Sequence, residues 1–218
     1  AAAYINTARR PVILAGHGII LAGAHDELRT LAETGQIPIS TTLLGIGSIA
    51  ESHPLNLRMM GMHGEAFVNE AIQNADLLIA LGMRFDDRVT GNLATYAQHA
   101  DVIHVDIDPA EIGKNVTADL GIVGDVKQVL TQLLPLVEPR DRSAWFSQIE
   151  AWRNDTTARD ILSATACDGA PHVPFVIDAI HRATRGAPAL IVTDVGQHQM
   201  WVAQYYRHER PNQLLTSG

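Results

Sequence analysis

Seven consecutive residues, Gly82-Met83-Arg84-Phe85-Asp86-Asp87-Arg88, bring together two guanidiniums, two carboxylates and an aromatic ring. A guanidinium can pair bidentately with a carboxylate or phosphate, and an aromatic face can lie against a flat ring system. A surface ion-pair loop is the plainer reading, and it would contribute little energy. Three other segments offer backbone groups to a ligand: Gly16-His17-Gly18, Gly45-Ile46-Gly47 and Gly61-Met62-His63-Gly64. Glycine lets N–H groups approach a phosphate, and a helix N-terminus adds roughly half a positive charge. Leu21 stands where the last glycine of G-x-G-x-x-G would fall, so Gly16 and Gly18 fit a structural turn equally well. His63 likewise fits a loop histidine bonded locally.

Two acidic turns and one polar turn complete the set. In Asp106-Ile107-Asp108-Pro109, an acidic strand end suits hydrogen bonds from a ribose or adenosine hydroxyl. Asp108 before Pro109 also predicts an N-cap with proline at the first helical position. Gly124-Asp125-Val126 repeats the pattern, with Asp125 as ligand contact or N-cap. Gly196-Gln197-His198-Gln199-Met200-Trp201 places amide and imidazole donors at a helix start, which suits a diphosphate. The competing reading is a polar helix start over a buried Met200 and Trp201.

These turns need elements to hold them. Apolar runs at 11–16, 37–41, 76–82, 102–108 and 121–125 predict strands; most end in Gly or Asp. Helical spacing is predicted over 22–34, with Gly35 at the stop, over 65–74 and over 126–134. Continuous apolar strands imply burial on both faces, hence an α/β fold: a parallel sheet with helices on both faces. Ligands of such sheets bind beyond the carboxyl ends of the strands. Residues 1–137 therefore read as one dinucleotide-type domain. Residues 138–171 read as a linker with a connecting helix over 143–162, Trp145, Ile149 and Trp152 sharing one face. Residues 172–218 read as the start of a second, truncated α/β domain: a helix at 173–184, a strand at 189–194 and a further helix.

Composition narrows the classes. The chain is 46% hydrophobic and 18% charged, enough for a packed core. A net charge of −8 and no basic run argue against nucleic acid. The single cysteine, Cys167, predicts neither an internal disulfide nor a cysteine zinc site. No apolar run reaches the roughly 18 residues of a membrane span. A cytosolic or organelle-matrix setting fits. The start without Met and the end at Thr216-Ser217-Gly218 suggest a piece of a longer protein.

Arg84 to Gly91, His104 to Asp108, Glu111-Ile112-Gly113-Lys114-Asn115 and Gly196 to Trp201 together resemble acetohydroxyacid synthase (acetolactate synthase). Order and spacing match across nearly the whole chain, least well at 138–171. The glycine turns and Asp-Ile-Asp-Pro are shared more loosely with glyoxylate carboligase and pyruvate oxidase. The resemblance implies a three-domain thiamine-diphosphate enzyme with FAD in its middle domain. It condenses two pyruvates, or pyruvate and 2-oxobutyrate, with loss of CO2 in branched-chain amino acid synthesis. By resemblance, FAD contacts Gly16, Gly18, Thr42, Leu43, Met60, Gly61, Met62, His63 and Gly64. It also contacts Gly82, Met83, Arg84, Phe85, Asp86, Asp106, Ile107, Asp125 and Val126. Leu44 stands where relatives often carry Met. Met62, Asp87 and Arg88 match the substrate channel, and Gln197 and His198 match residues that hold thiamine diphosphate.

The family's activating glutamate and its Gly-Asp-Gly…Asn magnesium segment fall outside this chain, so no catalytic residue and no metal ligand is expected in it. The chain alone is expected to lack synthase activity. The resemblance also implies a homo-oligomeric parent with a small regulatory subunit. Apolar surface around Trp201, Tyr205 and Tyr206 predicts self-association of the piece. Other readings are a glyoxylate carboligase-like enzyme, an NAD-binding α/β module such as an NAD-dependent deacylase or transferase, and a non-catalytic module serving mainly in subunit contact.

Overall fold

The computed structural model describes residues 1–157 and 171–217; Cys167 and the end of the predicted 143–162 helix lie outside them. In chain order, α1 (Ala2–Thr7) leads into β1 (Pro11–Ala15), α2 (His17–Leu21), α3 (His25–Gly35) and β2 (Ile39–Thr41). Then follow β3 (Asn56–Met59), α4 (Ala66–Gln73), β4 (Leu77–Leu81), α5 (Asp87–Thr90), β5 (Asp101–Asp106), β6 (Leu120–Val123) and α6 (Val126–Leu133). After α7 (Ser143–Thr157) come α8 (Val173–Thr184), β7 (Ile191–Val192), α9 (Gln197–Tyr205) and β8 (Leu214–Leu215).

Strands β1 to β6 form a parallel sheet in the order β3-β2-β1-β4-β5-β6. Every residue of β1 and β4 is buried, as their unbroken apolar runs require. Alternate residues of these strands serve opposite layers. Ile13, Ala15, Leu77, Ile79 and Leu81 pack with Ile5, Ile19, Leu28, Leu31 and Leu130 from α1, α2, α3 and α6. Val12, Leu14, Leu78 and Ala80 pack with Phe67, Val68 and Ile72 of α4 and with Trp145 and Ile149 of α7. Helices on both faces are the expected architecture.

Several elements differ from the sequence expectation. Strand β3 is unpredicted because Asn56-Leu57-Arg58-Met59 has no apolar run; it is an edge strand, Arg58 lies at φ +78, and the β2–β3 register shifts at Ile39/Ser40. Helix α3 ends one residue after the expected stop, with Gln36 at φ +50 as its left-handed C-cap. Helix α1 is also new. Helix α7 packs on α4, and the indole N–H of Trp145 donates to the Pro11 carbonyl at 3.2 Å. The stretch expected to connect two domains thus belongs to the first domain's packing over 143–157.

The second unit holds α8 against α9 and pairs β7 with β8 in parallel. Tyr206 is buried between His181 and His208, with ring centroids 5.1 and 5.0 Å away, and its hydroxyl meets Thr184 Oγ1 at 2.8 Å. Apolar exposure therefore falls elsewhere than expected: Trp201 and Tyr205 are half-buried, whereas Phe175, Ile180, Leu190 and Val192 are exposed. Among the described residues, no helix is long and apolar enough to cross a membrane.

The two units meet at a charged joint. Arg207 Nη1 lies 3.7 Å from Glu51 Oε2, the Glu51 N–H donates to the His208 carbonyl, and Ser52 Oγ meets Glu209 Oε2 at 2.5 Å. Burial pushes the Glu51 carboxyl up to about 7, outweighing Arg207 and Arg58, while Glu209 adds repulsion. The unfolded value is 4.5, so between pH 4.5 and 7 the folded state keeps a proton that the unfolded state releases. Stability from this group is therefore present at low pH and lost as pH rises to 7. His208 works oppositely: burial lowers it to about 4, so its contribution is lost as pH falls from 6.5 toward 4. Glu51→Gln is expected to be more stable than the parent above pH 7, by up to about 3 kcal/mol, the gap closing toward pH 4.5. Urea unfolding at pH 5 and pH 8 checks this; an equal gap at both would contradict it.

Candidate functional site

The order in which successive strands are added reverses between the parallel neighbours β1 and β4, and the loops at their carboxyl ends abut there. Gly16 N–H donates to Leu81 O at 3.0 Å, Gly18 N–H to Gly82 O at 3.0 Å, and Gly82 N–H to Val105 O at 2.8 Å. A Cβ on Gly16 would stand 2.1 Å from Gly82 O, and one on Gly18 would stand 2.7 Å from Gly82 Cα. Gly82 itself sits at φ +58. Close backbone approach accounts for all three glycines. The N–H groups of Gly16 and Gly18 are consumed within the protein, which corrects the expectation that they are free for a phosphate.

Beyond this contact lies a cleft of about 970 Å³ at the ends of β1, β4, β5 and β6. Gly18, Thr42, Leu43, Met60 and His63 line one side, and Gly82, Met83, Arg84, Phe85 and Asp86 another. Asp106, Ile107, Asp125 and Val126 close it at the β5 and β6 ends. Gly16, Gly61, Met62 and Gly64 do not reach the cleft wall. Gly61, at φ +91, packs on the Arg88 carbonyl, and a Cβ on Gly64 would stand 2.3 Å from Met59 O. The size and the largely apolar wall, with a few convergent polar groups, suit an extended aromatic cofactor.

The Arg84–Arg88 turn is held more tightly than its charges suggest. Phe85 lies at φ +49, a left-handed conformation that costs on the order of 1–2 kcal/mol. Its ring is 1% exposed and meets His104 and Tyr96 edge-on at 5.1 and 6.2 Å. That commits the ring to the core and corrects the expectation of an aromatic face free to lie on a ligand. His104 Nε2 stands 2.8 Å from the Met83 carbonyl, an acceptor only, so this nitrogen carries the proton. Asp86 Oδ1 caps α5 by accepting from Arg88 N and Val89 N at 3.1 and 3.2 Å. Arg84 Nε stands 3.5 Å from Asp86 Oδ2, and Arg88 Nε 3.8 Å from Asp87 Oδ2. Both pairs are largely exposed and contribute little to stability.

Asp106 Oδ1 accepts from Asp108 N at 2.9 Å, and Asp108 Oδ1 accepts from Ala110 N at 2.8 Å. No helix follows Pro109; Asp108 caps a turn instead, because the chain folds back through Gly113 at φ +70. Asp125 is the N-cap of α6, accepting from Gln128 N at 3.0 Å, and it also lines the cleft.

Met62 and Arg88 are neighbours, Arg88 Nη1 lying 3.7 Å from Met62 Sδ. Arg88 lines the cleft, whereas Asp87 lines a smaller pocket of about 430 Å³ beside it. Gln197 and His198 begin α9 without reaching the wall; Val195, Gln199 and Met200 do reach it. Gln199 is the buried member of that turn, bonded to Thr216 Oγ1 at 2.8 Å, while Met200 and Trp201 are half-buried. His17, Leu21 and Glu111 also line the cleft unpredicted. His17 lies between Gly16 and Gly18, and Glu111 begins Glu-Ile-Gly-Lys-Asn, so the sequence carried a signal for both.

Residues 1–133 match the family described as thiamine pyrophosphate enzyme, central domain. The chain belongs to this family. Relatives extend the match over the second unit. The probable acetolactate synthase large subunit of Methanocaldococcus jannaschii is 44% identical over 227 residues, covering 100% of this chain and 38% of the relative. Acetolactate synthase of Mycobacterium bovis is 45% identical, covering 100% of this chain and 36% of the relative. The large subunit of acetolactate synthase isozyme 1 of Escherichia coli is 45% identical, with 100% and 38% covered. The chain thus spans a little over a third of the length of these curated relatives.

Proposed function

We propose that this chain is the FAD-binding middle part, with the opening of the diphosphate-binding part, of an acetolactate synthase large subunit. The parent reaction joins two pyruvates, or pyruvate and 2-oxobutyrate, with loss of CO2, using thiamine diphosphate and magnesium. The observation that carries the reading is similarity to part of acetolactate synthases, over the whole of this chain at 44–45% identity, coupled with a cleft at the sheet's carboxyl edge. Asp106 would accept from the ribose side of the flavin nucleotide. Arg84 and His63 would face its phosphates, and Met60, Met83 and Val126 would cover apolar ring surface. FAD supplies a structural platform in this family rather than net redox chemistry. Met62, Asp87 and Arg88 would border a substrate channel, and Gln197 and His198 in the first turn of α9 would face thiamine diphosphate.

On this reading the chain alone makes no acetolactate from pyruvate. It takes up FAD and not NAD, measurable by equilibrium dialysis and by the flavin absorbance band. Uptake of NAD in preference to FAD would move the assignment to the dinucleotide-binding alternative. The parent works as a homo-oligomer with a small regulatory subunit, in the cytosol or an organelle matrix. The exposed apolar residues of α8 and β7 favour self-association of the chain itself.

A further inference from the structure

The segment Glu111-Ile112-Gly113-Lys114-Asn115 binds no ligand in the proposed function, yet it borders the cleft at Glu111. It leaves the end of β5 and folds back, with Ile112 seated on Gly121 of β6. Its last residue then reaches the loop after β4. Asn115 Nδ2 stands 2.9 Å from the Phe85 carbonyl and 3.4 Å from the Arg84 carbonyl. Those are the two peptide units that flank the left-handed Phe85.

The part of the turn that carries Arg84 and Asp86 is thus gripped at three points. His104 holds the Met83 carbonyl, Asp86 caps α5, and Asn115 holds the Phe85 carbonyl. The first grip is buried in the core and the second is internal to the turn. The third joins the turn at Phe85 to the loop after β5, as the Met62 N–H, donating to the Arg88 carbonyl at 2.8 Å, joins its far end to the loop after β3. Glu111, in the same segment, lines the cleft and is held by Lys114 Nζ at 2.8 Å. A non-glycine residue stays in the left-handed region only when its surroundings over-determine it. An unsupported Phe85 would relax toward an extended conformation and swing Arg84 and Asp86 away from the cleft.

We propose that Asn115 is a positioning residue for the flavin cleft, acting through the Phe85 carbonyl and touching no ligand itself. The proposal rests on the flavin reading of the cleft. Asn115 is an exposed side chain, so its replacement spares the core. Aspartate is nearly isosteric with asparagine, but its ionised carboxylate cannot donate a hydrogen bond and repels the carbonyl.

The test compares Asn115→Asp and Asn115→Ala with the unaltered 218-residue chain. FAD affinity is measured by equilibrium dialysis at pH 7.5, and amide exchange of residues 86–91 is followed without FAD. At pH 7.5 both variants are expected to bind FAD about fivefold more weakly, the scale of one hydrogen bond, with melting temperatures near the parent's. Exchange at 86–91 rises in both. Asn115→Asp, whose carboxylate repels the carbonyl, loses at least as much affinity as Asn115→Ala. Unchanged exchange at 86–91 overturns the proposal, as does parental FAD affinity in both variants. If the parent chain takes up no FAD, the flavin reading fails, and the exchange data alone still decide whether Asn115 holds the turn.

Discussion

Gly16→Ala is expected to destabilise the chain by about 3 kcal/mol or more and to abolish ligand uptake by the cleft. The new methyl would lie 2.1 Å from Gly82 O and 2.5 Å from Met83 Cβ. Neither neighbour can yield cheaply. Gly82 is tied by its N–H to Val105 and by its carbonyl to Gly18, and Met83 by its carbonyl to His104. Relief therefore requires the carboxyl ends of β1 and β4 to separate, where the sheet is buried on both faces. Gly23→Ala is the matched control: its φ is +60, but nothing lies within 4 Å of the added carbon. It should cost only about 1 kcal/mol, the conformational penalty alone. Denaturant midpoints of the two variants give the comparison. Similar losses for both would mean that the β1 and β4 loops do not abut.

The second large effect is expected at Arg142, which is 5% exposed although it lies in a polar run. Its Nη1 donates to Gly35 O at the end of α3; its Nη2 donates to Ile5 O at 2.7 Å and Ala8 O at 3.1 Å at the end of α1. Helix ends leave carbonyls without intrahelical partners, and one guanidinium here serves two such ends at once. It also anchors the start of α7, whose backbone begins on the Arg142 carbonyl. Arg142→Ala should cost about 3 kcal/mol, since buried carbonyls lose charge-assisted partners. Arg142→Lys should recover less than half, because a single ammonium cannot span the fork. Urea unfolding followed by tryptophan fluorescence reads both stability and the Trp145–Trp152 contact, with ring centroids 5.7 Å apart. A loss under about 1 kcal/mol for the alanine variant would show the clasp to be dispensable.

Arg142 also shows where sequence reading stops. Glu138-Pro139-Arg140-Asp141-Arg142 looks like a solvated linker, and four of its residues are exposed or close to it. Nothing local distinguishes Arg142 from Arg140, because its partners are 107 and 137 residues away in sequence. Phe85 is a second case. The local pattern of charge around an aromatic suggested a ring offered to a ligand, but His104 and Tyr96 claim it. Asp108 is a third: Asp-Pro is a sound helix-start signal, and the return path through Gly113 overrides it.

What could be read directly was whatever depends on short-range chemistry. Unbroken apolar runs require burial on both faces, so β1, β4 and β5 and their parallel sheet followed from composition along the chain. Glycine and aspartate at strand ends marked the edge on which the cleft opens, and Asp125 could be identified as a cap from its neighbours alone. The order β3-β2-β1-β4-β5-β6 came only with the tertiary structure, as did the contact of Gly16 with Gly82 and the reach of α9 to the cleft. Each of these is a pairing between distant segments, decided by which buried surfaces fit one another, and no local pattern of residue types encodes that choice.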